Sequence, residues 1–526
     1  MISPVAGGEN GDVALAAMRK TAARTGGCLY LGAGAIGPAW AGAEQAVLVL
    51  GPPRSGKTSG LVVPTVLGAP GAVVSTSTKP DVLRITAGSR RGQGRCFLYD
   101  PSGTVEAPDG VERVRWSPVS GCRSWDDALL VARGLVGSAR PTGGRGDGGE
   151  VGLDHWSERA QALLAPVLHA AALDGAELAT VLSWIDRRQV APALRVLEQQ
   201  GAVIAGDLLA GIASTDSREQ SGIWSTASGV LGAYRSEAAL ATTVAPDFDP
   251  RGFCDSSGTL YICATGRHQG LAAPLVVGLL TDIRAAAYGR AAEQAAAADS
   301  GSPDGRGGGR RSAPTPVVLA LDEVANIAPV PDLPAMVSEG GSQGVVTLAC
   351  LQDLSQARGR WGGAADGFLS LFGTTVVLPG IGDVQTLDAL SQLAGEEEVA
   401  TRSVSAPVRE GGRGIGRAVM HRMLWGPGGR GADPLPSVTT STVLRRRLPV
   451  DVVGRGEPGM ALVVDERNAM GWVRLTPWFS SEPWRSVVRG AERVPAAVER
   501  PAGSFPRPAR DRLAGDGGPG GRDLGI

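Results

Sequence analysis

The run from Ala46 to Gly60 restricts this chain more than any other stretch. Ala46 to Leu50 is an apolar segment short enough for a buried strand, and it passes at once into Gly51-Pro52-Pro53-Arg54-Ser55-Gly56-Lys57-Thr58, the spacing G-x-x-x-x-G-K-T. A loop of this kind holds a triphosphate through inward-pointing backbone N–H groups and the positive end of the helix that follows. Gly51 and Gly56 permit the turn, Lys57 reaches the β- and γ-phosphates, and the Thr58 hydroxyl supplies part of a Mg²⁺ shell. Pro52 and Pro53 carry no N–H, so the donors come from Arg54, Ser55, Gly56, Lys57 and Thr58, and Ser59 completes the nucleotide-binding set. An ordinary strand-to-helix turn has the same outline, and a chain with 77 glycines in 526 residues meets such spacings more easily than most.

A second element narrows the choice. Pro316 to Leu321 is another apolar run, and it leads into Asp322-Glu323. A nucleotide-hydrolysing sheet needs one carboxylate near Mg²⁺ and the next near the attacking water; Asp322 fits the first role and Glu323 the general base. The bland alternative is a solvated acidic turn. Val345 to Leu351 then forms a further buried strand ending in Gln352, placed to touch the γ-phosphate or simply to cap the strand. The expected catalytic set is Glu323, Lys57 and Gln352, and the expected metal set Thr58 and Asp322.

Strands alternating with helices over residues 29–136 and again over 256–480 imply an α/β fold with a mostly parallel sheet. Between them, residues 153–240 show helical spacing with no strand, an all-α domain inserted into the core. Its Trp156, Trp184 and Trp224 read as internal packing rather than a base-stacking platform. Residues 1–28 read as a flexible arm. The Gly/Arg/Ser-rich stretch near 299–313 reads as a disordered loop, 400–438 as weakly patterned and mobile, and 490–526 as a disordered tail.

Formal net charge is −1, so no global basic field holds nucleic acid, and any DNA contact is local. Arg445-Arg446-Arg447 is the densest basic run, more simply a solvated face. The six cysteines are scattered without a C-x-x-C pair, as in a reducing compartment, and four distant histidines make a His-built metal site a poor expectation. No signal pattern and no bilayer-length apolar run is present, so the expected location is cytoplasmic.

The paired nucleotide motifs, separated by a helical insertion, resemble the TraG/TraD-like coupling ATPases of conjugative type IV secretion. The resemblance rests on Gly51 to Thr58, Val63-Pro64-Thr65-Val66-Leu67, Lys79-Pro80-Asp81, Leu321 to Ile327 with Pro331-Asp332-Leu333, and Leu351 to Gln356, and it covers roughly residues 29–478. It implies a RecA-like P-loop core with an inserted all-α domain. It also implies a hexameric motor that hydrolyses ATP with Mg²⁺ and moves DNA and an attached relaxase towards a secretion channel. Lys57, Thr58, Asp322, Glu323 and Gln352 take the family roles.

Two departures stand out. The membrane-spanning helices usual in that family are not visible, which leaves either attachment at the inner face of the membrane through a partner or a soluble branch of the family. Glycine, within Gly340-Gly341-Ser342-Gln343-Gly344, stands where relatives often carry an arginine for the neighbouring subunit's γ-phosphate; either Arg358 or Arg360 replaces it, or hydrolysis is slow. Alternatives are an FtsK-like DNA pump, for which residues after 480 look too Gly/Pro-rich to supply the usual winged helix, and a nucleotide-binding substrate adaptor that does not hydrolyse ATP.

Overall fold

A computed structural model describes residues 9–25, 27–139, 150–265, 269–299, 315–405 and 437–492. Most of the expected loop at 299–313, the interior of the 400–438 segment and the tail beyond 492 lie outside these residues.

Fourteen strands occur among the described residues: β1 (Tyr30–Gly34), β2 (Gly37–Trp40), β3 (Val47–Leu50), β4 (Val73–Ser77), β5 (Cys96–Tyr99), β6 (Val111–Arg113), β7 (Thr259–Cys263), β8 (Val317–Leu321), β9 (Val345–Leu351), β10 (Thr374–Val377), β11 (Glu396–Ser405), β12 (Ser437–Arg446), β13 (Met460–Asp465) and β14 (Met470–Arg474). Twelve make one sheet in the order β2-β1-β14-β13-β10-β3-β9-β8-β4-β7-β5-β6. From β10 to β6 every neighbour pair is parallel, and from β10 to β2 every pair is antiparallel. The fold is therefore α/β with a mostly parallel sheet, as expected.

The central strands are continuous apolar runs because both faces of the sheet are covered. In β3, Leu48 and Leu50 face one core while Val47 and Val49 face the other, and all four are fully buried. The first core takes in the helices Trp125–Ser138 and Gln269–Asp299. The second lies under Val63–Gly68, Asp81–Arg91 and Trp484–Glu492.

Between β6 and β7 the described residues make helices and no strand, among them Glu150–Asp174, Leu178–Asp186, Ala191–Gln199, Val203–Ala213 and Ser217–Val230. Trp184 and Trp224 are buried in their midst, and half-buried Trp156 lies flat against Gly222, where a Cβ would come within 2.3 Å of the ring. All three tryptophans pack within the helices.

Residues 9–25 differ from the loose arm expected there. Glu9–Thr25 is a helix, with Leu15 and Ala22 buried and Gly11 so close to Ser486 and Val487 that a Cβ would meet them at 2.9–3.0 Å. Arg19 donates to the carbonyls of Leu67 and Gly68, capping the end of the helix that follows the glycine-rich loop. Its seat is the helix Trp484–Glu492, where Trp484, Val487 and Val488 are buried at helical spacing.

The weakly patterned 400–438 segment also differs from expectation at its ends. β11 and β12 pair over ten residues, from Glu396 opposite Arg446 to Ser405 opposite Ser437. Arg446 also bonds Asp388 at 2.8 Å.

At the N-terminal end of the parallel strands one charged side chain is wholly enclosed. Arg90 has no exposed surface and uses all five N–H donors. Nε donates to Thr259 Oγ1 (2.6 Å), Nη1 to the Ala69 carbonyl (2.7 Å) and Gln93 Oε1 (2.6 Å), and Nη2 to the carbonyls of Gly71 (2.8 Å) and Ser257 (3.1 Å). No carboxylate is among these partners, and burial lowers the pKa of this guanidinium from its ordinary value.

Candidate nucleotide site

Three neighbouring strands carry the site, and their order explains how segments distant in sequence meet. β9 lies between β3 and β8, in parallel register with both. Gly51 therefore leaves β3 beside the end of β9, its N–H donating to the Leu351 carbonyl at 3.2 Å. Asp322 leaves β8 two strands away, its N–H on the Thr76 carbonyl of β4 at 3.2 Å. All these ends point the same way, to the carboxyl edge where open α/β sheets bind ligands.

The loop itself is held in a bowed shape. Arg54 at φ 65° and Gly56 at φ 96° turn the chain twice, and Ser55 N–H closes on the Pro52 carbonyl at 3.3 Å. Gly51 has to be glycine for a packing reason, since a Cβ there would lie 2.7 Å from Ser55 Oγ and 2.9 Å from Leu378 Cβ. The helix beyond starts with a wide π turn over Thr58–Val62 before becoming α-helical at Val63. Gly60 in that turn packs on Leu475, and Ser59 Oγ donates to the Gly56 carbonyl at 3.4 Å. The first amides of this turn have no intrahelical acceptor.

Lys57 is 9% exposed and folds over the loop, its ammonium donating to the carbonyls of Gly51 and Pro52, the latter at 3.0 Å. Thr58 Oγ1 donates to Asp322 Oδ2 at 2.7 Å across 264 positions of sequence. Burial pushes the Asp322 carboxyl up from the ordinary aspartate range; the Thr58 hydrogen bond pulls it down, the Glu323 charge raises it further and Lys57 lowers it.

Glu323 follows in a left-handed conformation and opens the one-turn helix Val324–Ile327. Gln352 lies at the tip of β9, between the glycine-rich loop and Asp322, and its backbone N–H donates to Gln356 Oε1 at 3.0 Å. Lys57, Thr58, Asp322, Glu323 and Gln352 thus gather at one edge, with Ser55, Gly56 and Ser59 around them. Arg54 is the exception, an exposed side chain on the outer bend of the loop.

The residues present fit a nucleotide polyphosphate with a divalent cation. Ser55 Oγ is a buried hydroxyl with no hydrogen-bond partner, set in the wall of the loop. The Asp322 carboxylate, buried beside the Thr58 hydroxyl, is a hard oxygen ligand whose burial a cation would offset.

The glycine at the expected arginine position has a structural reason. A Cβ on Gly341 would lie 2.0 Å from the Glu44 carbonyl oxygen, and one on Gly340 2.4 Å from that of Met336. The two candidate replacements are both engaged within the chain: Arg358 with Asp383 at 2.8 Å, Arg360 with the Ser138 carbonyl at 2.8 Å. The reading of the sequence gave no role to Asn326, which bonds the Glu323 side chain. Its spacing three residues beyond Glu323, at a strand-to-helix turn, was the available signal.

Residues 316–422 match a family model described as the TraM recognition site of TraD and TraG. The fold matches solved structures of the conjugative coupling protein TrwB. A bacterial TrwB lacking its first segment, in an unbound form, superposes with a TM-score of 0.55 at 17% identity, covering 82% of this chain and 85% of that one. Plasmid TrwB bound to a non-hydrolysable ATP analogue gives 0.55 at 19% identity, covering 83% and 86%, and TrwB with ADP and Mg²⁺ gives 0.55 at 18%, covering 82% and 86%. No curated protein sequence matches the chain. The resemblance to the TraG/TraD-like coupling proteins, drawn from the motifs, is borne out by the segment match and by the RecA-like fold. Among the described residues no helix is long and apolar enough to cross a membrane.

Proposed function

We propose that this chain is an ATP-driven coupling protein of a conjugation-like system, hydrolysing ATP with Mg²⁺ to move DNA, with an attached relaxase, towards a type IV secretion channel. The observation that carries the reading is the 2.7 Å bond between Thr58 and Asp322, which joins the phosphate loop to the acidic strand end at one point. That TrwB, with this fold, binds an ATP analogue and ADP with Mg²⁺ supports the choice of ligand.

In this proposal the amides of residues 54–58 and the Lys57 ammonium hold the β- and γ-phosphates, Lys57 exchanging its loop carbonyls for phosphate oxygens. Thr58 and Asp322 hold Mg²⁺, which supplies charge neutralisation on the phosphates. Glu323 takes a proton from water as the water oxygen bonds the γ-phosphorus and the bond to the bridging oxygen of ADP breaks. Gln352, on the strand between the two motifs, contacts the γ-phosphate and senses its departure. The working particle is a homo-hexamer with local DNA contacts in its pore, held at the inner membrane face by partner proteins.

ATP turnover is measured with and without single- and double-stranded DNA, for the unsubstituted chain, Lys57→Ala and Glu323→Gln. The expected result is DNA-stimulated turnover that Lys57→Ala abolishes and Glu323→Gln lowers by about 10²-fold or more with ATP binding retained. Equal turnover in all three removes the catalytic assignment. A second reading, a nucleotide-binding adaptor that does not hydrolyse ATP, draws on the internal engagement of Arg358 and Arg360. Tight ATP binding with no turnover, together with recovery of a relaxase, would establish it instead.

A further inference from the structure

Glu323 sits at φ 52° and ψ 50°, a left-handed conformation that few non-glycine residues adopt, and such strain persists only where surrounding contacts hold it. The turn sends the chain from β8 straight into the helix Val324–Ile327, which fully buried Val324 and Ile327 fix in place. Asn326 lands one helical turn beyond Glu323, on the same side. Its backbone N–H donates to the Glu323 carbonyl at 2.9 Å, Ile327 N–H donates to the same oxygen at 3.2 Å, and Asn326 Nδ2 donates to Glu323 Oε2 at 3.3 Å. Among the described residues no other group donates to this carboxylate, and Oε1 has no donor.

We propose that Asn326 is a positioning residue for the general base, holding the Glu323 carboxylate by Oε2 so that Oε1 is the oxygen presented to water. The inference rests on the catalytic role given to Glu323 above. A carboxamide suits the task because it donates a hydrogen bond and cannot take the proton, so it orients the base without competing with it. The same residue also supports the backbone turn that aims Glu323, which couples the direction of the side chain to the strand end carrying Asp322.

The test is a double-substitution cycle on the full chain, reading kcat and KM for ATP, ATP binding and thermal unfolding for Asn326→Ala, Asn326→Asp, Glu323→Ala and Glu323→Ala/Asn326→Ala. Asn326→Ala is expected to lower kcat about tenfold with KM within about twofold, and to cause no further loss once Glu323 is alanine. Asn326→Asp, which sets a carboxylate against a carboxylate, is expected to fall at least as far. Full activity of Asn326→Ala, an equal loss in both backgrounds, or loss of ATP binding together with kcat overturns the inference alone. ATP binding without turnover in the unsubstituted chain overturns the motor reading, and this inference with it.

Discussion

Arg90 offers the sharpest test of how this sheet is held together, because its surroundings allow the cost of removing it to be worked out. The Ala69, Gly71 and Ser257 carbonyls that it satisfies have no other donor among the described residues. Arg90→Met keeps much of the side chain's volume and takes this partner from the buried Ala69 and Gly71 carbonyls, at about 1–3 kcal/mol each, and from the half-buried Ser257 carbonyl, which water can reach. Removing a desolvated guanidinium returns part of that, so the net loss is about 2–4 kcal/mol. For a chain of 526 residues, whose unfolding entropy is about 1.1 kcal/mol/K, the loss corresponds to a fall of roughly 2–4 °C in Tm. Arg90→Lys keeps the charge but has three donors in place of five and no planar fork, so it should fall between wild type and Arg90→Met. Thermal unfolding followed by circular dichroism measures both. ATP affinity below the melting range should not change, since Arg90 lies at the amino ends of β4 and β7 and the phosphate loop at the carboxyl edge. An Arg90→Met protein melting within about 1 °C of wild type would refute the reasoning, because those carbonyls would then have lost nothing they needed.

Asp322→Asn should raise Tm at neutral pH in the absence of nucleotide while removing Mg²⁺-dependent turnover. Because the folded state raises this carboxyl's pKa, it binds the proton more tightly than the unfolded state does, so stability from this group is highest in acid and falls as pH rises through the raised pKa. The gap between variant and wild type should therefore narrow on acidification, as a series of melts across pH would show. Gly341→Ala should cost about 1–3 kcal/mol, because its Cβ meets the Glu44 backbone carbonyl at 2.0 Å; denaturant titration checks this. Lys57→Ala should lose nucleotide binding, read by fluorescent-analogue titration, with little change in melting temperature, since Lys57 bonds only carbonyls of its own loop.

The parallel centre of the fold was legible because a strand buried on both faces leaves an unbroken apolar run, as at Val47–Leu50, Val317–Leu321 and Val345–Leu351. The loop and the Asp-Glu pair were legible because their chemistry fixes residue types at fixed spacing. The flanks were not. β1 and β2 are Tyr-Leu-Gly-Ala-Gly and Gly-Pro-Ala-Trp, whose glycines and proline read as breaks; their pairing with each other, and that of β1 with β14, makes them strands. β11 and β12 carry Glu, Thr, Ser and Arg, and over residues 396–401 and 440–446 no side chain is buried, so no period of two shows. The helix Glu9–Thr25 buries so few large side chains that its pattern is faint, whereas Trp484, Val487 and Val488 at i, i+3 and i+4 were a signal passed over.

The antiparallel flank ties Ala33 of β1 to Arg474 of β14, residues 441 positions apart. A ribosome adding about 5–20 residues per second needs roughly 20–90 s to travel that distance, and for all of it one edge of the nascent β1–β2 hairpin has no neighbour. The helix Glu9–Thr25 waits as long for its seat on Trp484–Glu492. Closure of the sheet thus waits until β14 has been made, and the β1–β2 edge is the one that a folding helper would have to shield from sticking to another chain in the meantime.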